Sequence, residues 1–353
     1  MKILEVNFAK TWRGGERQTF YTAGGLMNLG NEVTIACYPS GKLFEHAKEH
    51  HIKTVTFSRP LRFAWWLMKH GSAFNIIHCQ GSKELTWVAL TKRFHRAKIV
   101  LTRRVNFTPK GLPTYLKYKQ ADKIVGISRS VQITIEKFGF PDVSIIPDIY
   151  VPSKADRTAI KNLTDRFGLS GKKIIATTSA LTEEKDPFTM VECIGKLRQK
   201  RNDFLFIHFG DGDLRPALEK RITELALTDC YLLAGHYNNV EGLFPVFDLF
   251  MMSSSQEGLG SSVLDAFYHR IPVVSTDAGG LADLLSSGRG HLCAVKDAQC
   301  LSEGADQTLS ALDGTEIKAQ LDAAYDHLTA CHEMEQCSKQ YQELFTLLLT
   351  SKR

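Results

Sequence analysis

The chain has 353 residues, 43% of them hydrophobic, which suits a globular protein long enough for two domains of ordinary size. Its 44 Lys and Arg outnumber 38 Asp and Glu for a net charge of +6, and no 18-residue apolar run exists, so no transmembrane helix is expected. Polar residues follow Met1 at once, against a secretory signal, and eight scattered cysteines without a C-x-x-C pair predict reduced thiols in a cytosolic protein.

In the first half, short apolar runs predict strands over Lys2–Phe8, Glu32–Tyr38, Lys53–Phe57, Asn75–Cys79, Lys98–Thr102, Lys123–Ile127 and Val143–Ile146, with helical patterns between them. Continuous apolar strands alternating with helices imply a parallel sheet covered on both faces. After the first strand comes Thr11-Trp12-Arg13-Gly14-Gly15-Glu16 and then a helix with Phe20, Leu26 and Leu29. A glycine pair at a strand-to-helix turn lets backbone amides meet a phosphate, so Gly14 and Gly15 are candidate ligand contacts. The fourth strand ends in His78-Cys79-Gln80, the fifth in Thr102-Arg103-Arg104. Arginine at the carboxyl end of a strand can bind phosphate with two donors, which makes Arg103 a candidate, and Ser128 is placed to cap the helix after the sixth strand.

Charge is divided unevenly. Residues 1–150 hold 23 Lys and Arg against 10 Asp and Glu, a surplus of 13 positive charges, whereas residues 151–353 hold 21 against 28. Between residues 59 and 110 the only acid is Glu84. This asymmetry fits an anionic partner for the first half, or a solvated basic face. The run from Arg59 to Lys69 mixes aromatics with cations and suits a membrane surface, although adjacent Trp65 and Trp66 cannot both point one way from a helix.

Residues 151–170 are polar and mixed and suit a linker. The strand pattern restarts with Lys173–Ser179, Phe204–Phe209, Tyr231–Ala234, Leu249–Met252 and Val273–Ser275. The expected organisation is an N-terminal Rossmann-like domain over 1–150, the linker over 151–170, a second Rossmann-like domain over 171–330 and a C-terminal helix over 331–353. In open parallel sheets ligands sit beyond the carboxyl ends of the strands. Lys185 follows the first strand of the second half, Gly210-Asp211-Gly212-Asp213 the next, and Gly235-His236-Tyr237 the third. Asp211 and Asp213 suit turn and cap chemistry better than metal binding. His327, Cys331, Glu335 and Cys337 share a C-terminal helical stretch and read as an ordinary helix surface rather than a metal site.

The most informative stretch is Glu257-Gly258-Leu259-Gly260-Ser261-Ser262-Val263-Leu264-Asp265, between the apolar runs Leu249–Met252 and Ile271–Val274. A buried strand, a glycine-punctuated turn and a helix N-terminus form an anion cradle, because the first amides of a helix have no internal partner. Two carboxylates eight positions apart are expected to face one side if both lie on the helix. The arrangement suits a diphosphate with hydroxyl-rich sugars at both ends, as in a nucleotide sugar.

This stretch resembles the E-x7-E signature of retaining glycosyltransferases of family 4, which have the GT-B fold. Pro272-Val273-Val274-Ser275-Thr276 followed by Ala278-Gly279-Gly280-Leu281 is similar to the family's "PVV-T-x-GG" segment. The resemblance implies two Rossmann-like domains facing a central cleft, a terminal helix crossing back to the first, and no metal or other cofactor beyond a UDP- or GDP-linked sugar donor. It implies that Glu257 contacts the donor sugar, Asp265 the ribose, and Lys185 the donor phosphate. His78 matches the first histidine of the family's H-x-H, whose second reaches the reaction centre and is Gln80 here, so His78 stands as a catalytic candidate with a buried structural role equally open. Gly14, Gly15, Gly210, His236, Tyr237, Gly258, Leu259, Gly260, Ser261 and Ser262 are implied around the donor. The sequence departs from the family at Asp265 (commonly Glu), Gln80 (often His), Ala180 (Arg) and Arg270 (Gly).

The expected function is retaining transfer of a sugar to an anionic glycan or glycolipid acceptor, in lipopolysaccharide or other cell-envelope glycan synthesis. The expected location is cytoplasmic, with the inner membrane face as a candidate docking surface and no nucleic-acid partner. Gln80, Ala180 and Arg270 motivate the alternative of a catalytically weak nucleotide-sugar-binding protein. An epimerase or phosphorylase of the same fold is a third reading.

Overall fold

The structure is a computed structural model and describes residues 1–351. The chain divides into two units, one of Met1–Tyr150 together with the chain from Ala330 onward, the other of Val151–Thr329.

The first unit is a seven-stranded sheet built of β1 (Lys2–Val6), β2 (Glu32–Cys37), β3 (Lys53–Thr56), β4 (Ile76–Cys79), β5 (Lys98–Arg103), β6 (Lys123–Gly126) and β7 (Val143–Ile145). Its order is β3-β2-β1-β4-β5-β6-β7, and every pairing is parallel. The connecting helices are α1 (Gly14–Asn28), α2 (Lys42–Glu49), α3 (Pro60–His70), α4 (Ser82–Leu90), α5 (Leu112–Tyr118) and α6 (Arg129–Lys137). As expected for a sheet buried on both faces, two apolar clusters form. One packs Ala23, Leu26, Leu43, Ala47 and Phe345 on one face, the other packs Phe63, Leu67, Leu85, Val88 and Ile135 on the opposite face. Ser128 caps α6, its hydroxyl accepting the Val131 N–H at 3.3 Å.

The second unit holds α7 (Arg157–Phe167), β8 (Lys173–Thr178), α8 (Pro187–Arg198), β9 (Phe204–Phe209), α9 (Arg215–Glu224), β10 (Tyr231–Gly235), β11 (Leu249–Met252), α10 (Ser261–Tyr268), β12 (Val273–Thr276), α11 (Gly280–Leu285), β13 (His291–Cys293) and α12 (Ala298–Ser310). The parallel sheet runs β10-β9-β8-β11-β12-β13. Two long helices follow, α13 (Thr315–His332) and α14 (Met334–Thr350). Helix α14 packs on α1 so closely that a Cβ at Gly25 would lie 2.0 Å from the Ser338 hydroxyl.

Several sequence expectations need correction. The stretch 151–170 is not a plain linker: α7 starts at Asp156, whose carboxylate accepts the Ala159 N–H, and stops at left-handed Gly168. Edge strand β13 was not anticipated, because three residues carry no readable alternation. His327 and Cys331 do not share a helix with Glu335 and Cys337. The chain breaks at extended Glu333, where the His332 carbonyl takes the Tyr150 N–H at 2.8 Å instead of continuing the helix. Nor are all cysteines reduced: Cys293 and Cys300 form a disulfide, with Cα atoms 5.7 Å apart at the start of α12.

Candidate functional site

In each sheet the strand order reverses once, between β1 and β4 in the first unit and between β8 and β11 in the second. Such a switch point splays the loops that leave the carboxyl ends of neighbouring strands and opens a crevice for a ligand.

At the first switch point, the loop after β1 carries Gly14 and Gly15 into the first turn of α1. A Cβ on either glycine would meet nothing within 4 Å, so the backbone there is open to approach. The turn is fixed from below: Glu16 accepts the Arg13 N–H at 2.7 Å, and Thr19 donates to the Gly15 carbonyl at 2.8 Å while accepting from Asn7. The loop after β4 carries Gln80, which is buried. Its amide donates to Glu5 at 2.5 Å, and its carbonyl accepts from Arg104 at 2.6 Å.

For His78 the catalytic placing is a correction: of the two roles open to it, the structure shows the buried one. Its side chain is 0% exposed, with Nδ1 at 2.9 Å from the Glu5 carboxylate and Nε2 at 2.7 Å from the Thr102 hydroxyl. Thr102 in turn lies 3.0 Å from the hydroxyl of Tyr341 on α14. With both nitrogens occupied inside the unit, His78 is an internal positioning residue that ties α14 to the sheet. Arg103 is a second correction. Side chains alternate along β5, so Thr102 and Arg104 face the Glu5 side while Arg103 turns to α5. There it donates to the Tyr118 hydroxyl at 2.8 Å and to the Phe107 carbonyl, and lies over the Phe107 ring. Arg104 is held by Asp148 at 2.9 Å.

At the second switch point the loops after β8 and β11 are laced together. The Ser255 and Gln256 N–H groups both donate to the Glu184 carbonyl, and the Ser253 hydroxyl donates to the carbonyl of Asp186 at 2.9 Å. This lacing brings Lys185 Nζ to 2.5 Å from Glu257 Oε2, with the Ser254 hydroxyl donating to the same oxygen at 3.3 Å. Both charged groups are mostly shielded, with side chains 22% and 14% exposed. Asp186 pays a backbone cost with φ of 44°, and its carboxylate caps α8 by accepting the Thr189 N–H.

Beyond Glu257 the chain turns through Gly258, buried Leu259 and left-handed Gly260 (φ 90°) into α10. Glu257 therefore lies before the helix, not on it. The expected helical spacing to Asp265 does not apply, and the glycine turn sets the carboxylate's place. Ser261 is exposed and Ser262 half-buried at the helix N-terminus, where the first amides have no intrahelical acceptor. Gly280 backs the turn: its N–H donates to the Glu257 carbonyl at 3.2 Å, and a Cβ on it would lie 2.4 Å from the Gly258 carbonyl. Ser253, Ser254 and Gly280 are thus working parts that the sequence reading had not assigned to the site. The Gly279-Gly280 pair was the available signal for the last.

Gly210 has a backbone reason of its own. Its φ is 148°, its N–H donates to the Gly235 carbonyl at 2.8 Å, and a Cβ would fall 1.9 Å from the Ser179 carbonyl. His236 is exposed. Tyr237 is half-buried, its ring edge-on to Phe209 and its hydroxyl accepting from Arg166 of α7 at 3.2 Å. Asp211 accepts the Gly212 N–H at 2.8 Å, which is turn chemistry. Near the end of β9, burial pushes the His208 imidazole down to about 4, partly opposed by its hydrogen bond to the Ser179 carbonyl.

Comparisons with known proteins agree with this geometry. The model for Glycosyltransferase Family 4 matches residues 12–149, and that for Glycosyl transferases group 1 matches residues 161–318. The 2-deoxystreptamine glucosyltransferase of Streptomyces kanamyceticus is 30% identical over 159 residues, 43% of this chain and 41% of that protein. The lipopolysaccharide core biosynthesis glycosyltransferase LpsE of Rhizobium meliloti (strain 1021) is 27% identical over 138 residues, 39% of each chain. The chain thus spans about two fifths of the length of these curated relatives. Among solved structures, Anabaena Alr3699/HepE in complex with UDP superposes with a TM-score of 0.85 at 18% identity, over 98% of this chain and 100% of that one. The same Anabaena protein in complex with UDP-glucose gives 0.84. At that identity the likeness speaks for the fold. With one model matched in each Rossmann-like unit, the chain belongs to glycosyltransferase family 4 and has the GT-B fold.

Proposed function

We propose that this protein is a retaining, metal-independent glycosyltransferase that moves a sugar from a UDP- or GDP-linked donor to an anionic glycan or glycolipid in lipopolysaccharide or other cell-envelope glycan synthesis. The observation that carries the reading is the Lys185–Glu257 pair, set beside the glycine turn that opens α10. In the proposed reaction the bond between the sugar and the diphosphate breaks. The Lys185 ammonium and the amides around Gly260, Ser261 and Ser262 hold the departing negative charge. The acceptor hydroxyl attacks from the same face, and its proton passes to the leaving phosphate oxygen. Glu257 orients the donor sugar, and Asp265 the ribose. The UDP complex of the Anabaena protein supports a uridine donor, and LpsE supports an envelope glycan as product. Incubation with UDP- and GDP-sugars and a lipopolysaccharide acceptor, with the product's anomeric configuration read by NMR, tests it. Donor left intact, or an inverted product, counts against the reading.

The acceptor side is proposed to dock on an anionic membrane surface. Helices α3, α4 and α5 are neighbours on one face of the first sheet. They and the segments after them expose Leu61, Trp65, Leu90, Phe94, Leu112 and Leu116 beside Arg62, Lys69, Arg93 and Arg96. Trp65 is exposed with the Lys69 ammonium over its ring, whereas Trp66 packs against Phe57 and Phe74 inside the unit. Apolar side chains flanked by cations suit the boundary between headgroups and acyl chains. The protein should sediment with vesicles containing phosphatidylglycerol at low salt; protein left in the supernatant would sink this part of the proposal.

A further inference from the structure

We propose that His291, Cys293 and Cys300 form a binding site for a soft divalent cation of the zinc class in the reduced protein, apart from the donor cradle. His291 and Cys293 stand two residues apart on edge strand β13, and strand alternation puts both on one face. Cys300 sits in the first turn of α12, where N-cap Asp297 accepts its N–H at 2.9 Å. One imidazole nitrogen and the two sulfurs all lie within 4.8 Å of one another. His291 Nε2 is 3.7 Å from Cys300 Sγ. Zinc–sulfur bonds of about 2.3 Å and zinc–nitrogen bonds of about 2.0 Å in a tetrahedron separate such ligand atoms by about 3.5–3.8 Å.

The imidazole is seated by a feature with no other evident purpose. Gly304 lies within α12, where glycine costs about 1 kcal/mol relative to alanine. A Cβ there would fall 2.6 Å from His291 Cδ2 and 2.8 Å from Nε2, so the ring occupies the space a side chain would fill. Cys293 is buried, while His291 and Cys300 are half-buried, so a cation can enter from solvent and water can take the fourth position. The helix N-terminus favours the Cys300 thiolate.

In the structure the two sulfurs form a disulfide. Two equivalents of a small thiol reduce it, giving two protein thiols and one small-molecule disulfide. Binding of the dication then releases both thiol protons to solvent and leaves two thiolates and a neutral imidazole as ligands. The disulfide and the loaded site exclude each other, because both use the same sulfur electrons. The site also braces the donor unit: the Cys293 carbonyl accepts the Asp277 N–H at 2.8 Å, three residues before Gly280.

The test uses the full chain, reduced with a phosphine, stripped with a chelator and titrated with zinc(II) against a chromophoric competitor. The reduced wild type should take up one equivalent, and cobalt(II) should give thiolate-to-metal charge-transfer absorption. H291Q and C300S should each weaken binding at least tenfold, C331S should leave it unchanged, and diamide oxidation should expel the ion. Both affected positions are half-buried, and a thermal melt of each variant checks folding. Zinc uptake by reduced wild type no greater than by C293S/C300S, or uptake lost in C331S and kept in C300S, overturns the site.

Discussion

Lys185 and Glu257 are worth more together than either is alone. Removing Lys185 takes away the ammonium 2.5 Å from Glu257 and leaves that carboxylate shielded without its cation. Loss of one group aimed at developing charge costs about 10²–10³ in kcat. Lys185→Ala should therefore lower sugar-transfer turnover by about that factor, with a thermal melt checking that the variant folds, and steady-state kinetics on the proposed donor would show it; a loss below threefold would contradict the assignment. Each residue was singled out in the sequence, Glu257 by the glycine turn that follows it and Lys185 by the family resemblance, but their pairing was not, because it depends on how the loops after β8 and β11 are laced together. The surroundings of His78 and Arg103 were not legible in the sequence, for a physical reason. Both faces of β4 and β5 are covered, His78 and Thr102 by Tyr341 and Phe345 of α14 far along the chain, and Arg103 by Tyr118 of α5, and no local pattern tells which partner each side chain meets. Arg270 shows the opposite case. The family's glycine there becomes intelligible once φ is seen to be 55°, and Arg270 keeps the left-handed turn while pairing with Asp322 and lying over the Tyr325 ring. Strain relief of about 1–2 kcal/mol is offset by those exposed contacts and by glycine's looser unfolded chain. Arg270→Gly should leave stability within about 1 kcal/mol of wild type by urea denaturation, and a larger change would refute that balance.

Among the elements, the cradle depends on a glycine outside it. Gly280 starts α11, and its missing side chain lets the turn at Gly258 and Leu259 rest on the α11 backbone. Backbone cannot yield as a flexible side chain can. Gly280→Ala should shift that turn and weaken nucleotide binding at least tenfold by calorimetry, while the first unit's melt stays unchanged. Equal affinity would mean that the turn is not the binding element. The strand-and-helix alternation was readable because each buried run is short and bounded by polar turns. Helix α7 was overlooked although Asp156 and Gly168 punctuate it, since its only buried side chain is Leu163 and one apolar contact makes no stripe. The disulfide between β13 and α12 was unreadable, because pairing depends on how an edge strand returns to a helix and not on the seven-residue spacing.

Across the molecule, buried histidines couple stability to pH in the acid range. His208 is buried neutral between Ser179 and the Tyr231 hydroxyl, and burial lowers it from 6.5 to about 4. The folded chain therefore binds fewer protons than the unfolded chain between those values, so stability is full above about pH 6.5 and drains away as pH falls toward 4. The difference corresponds to about 3 kcal/mol at roughly 1.4 kcal/mol per pH unit. Burial also lowers His95 in the first unit and His269 in the second, which adds acid sensitivity of the same sign. The melting midpoint should fall between pH 7.5 and pH 5. In His208→Gln, which keeps a polar group in the pocket and cannot titrate there, the fall should be clearly shallower even if the midpoint at pH 7.5 is lower. Parallel pH profiles for the variant and the wild type would show that the acid limit lies in other groups, most directly His95 and His269, whose glutamine variants would then have to flatten the slope instead.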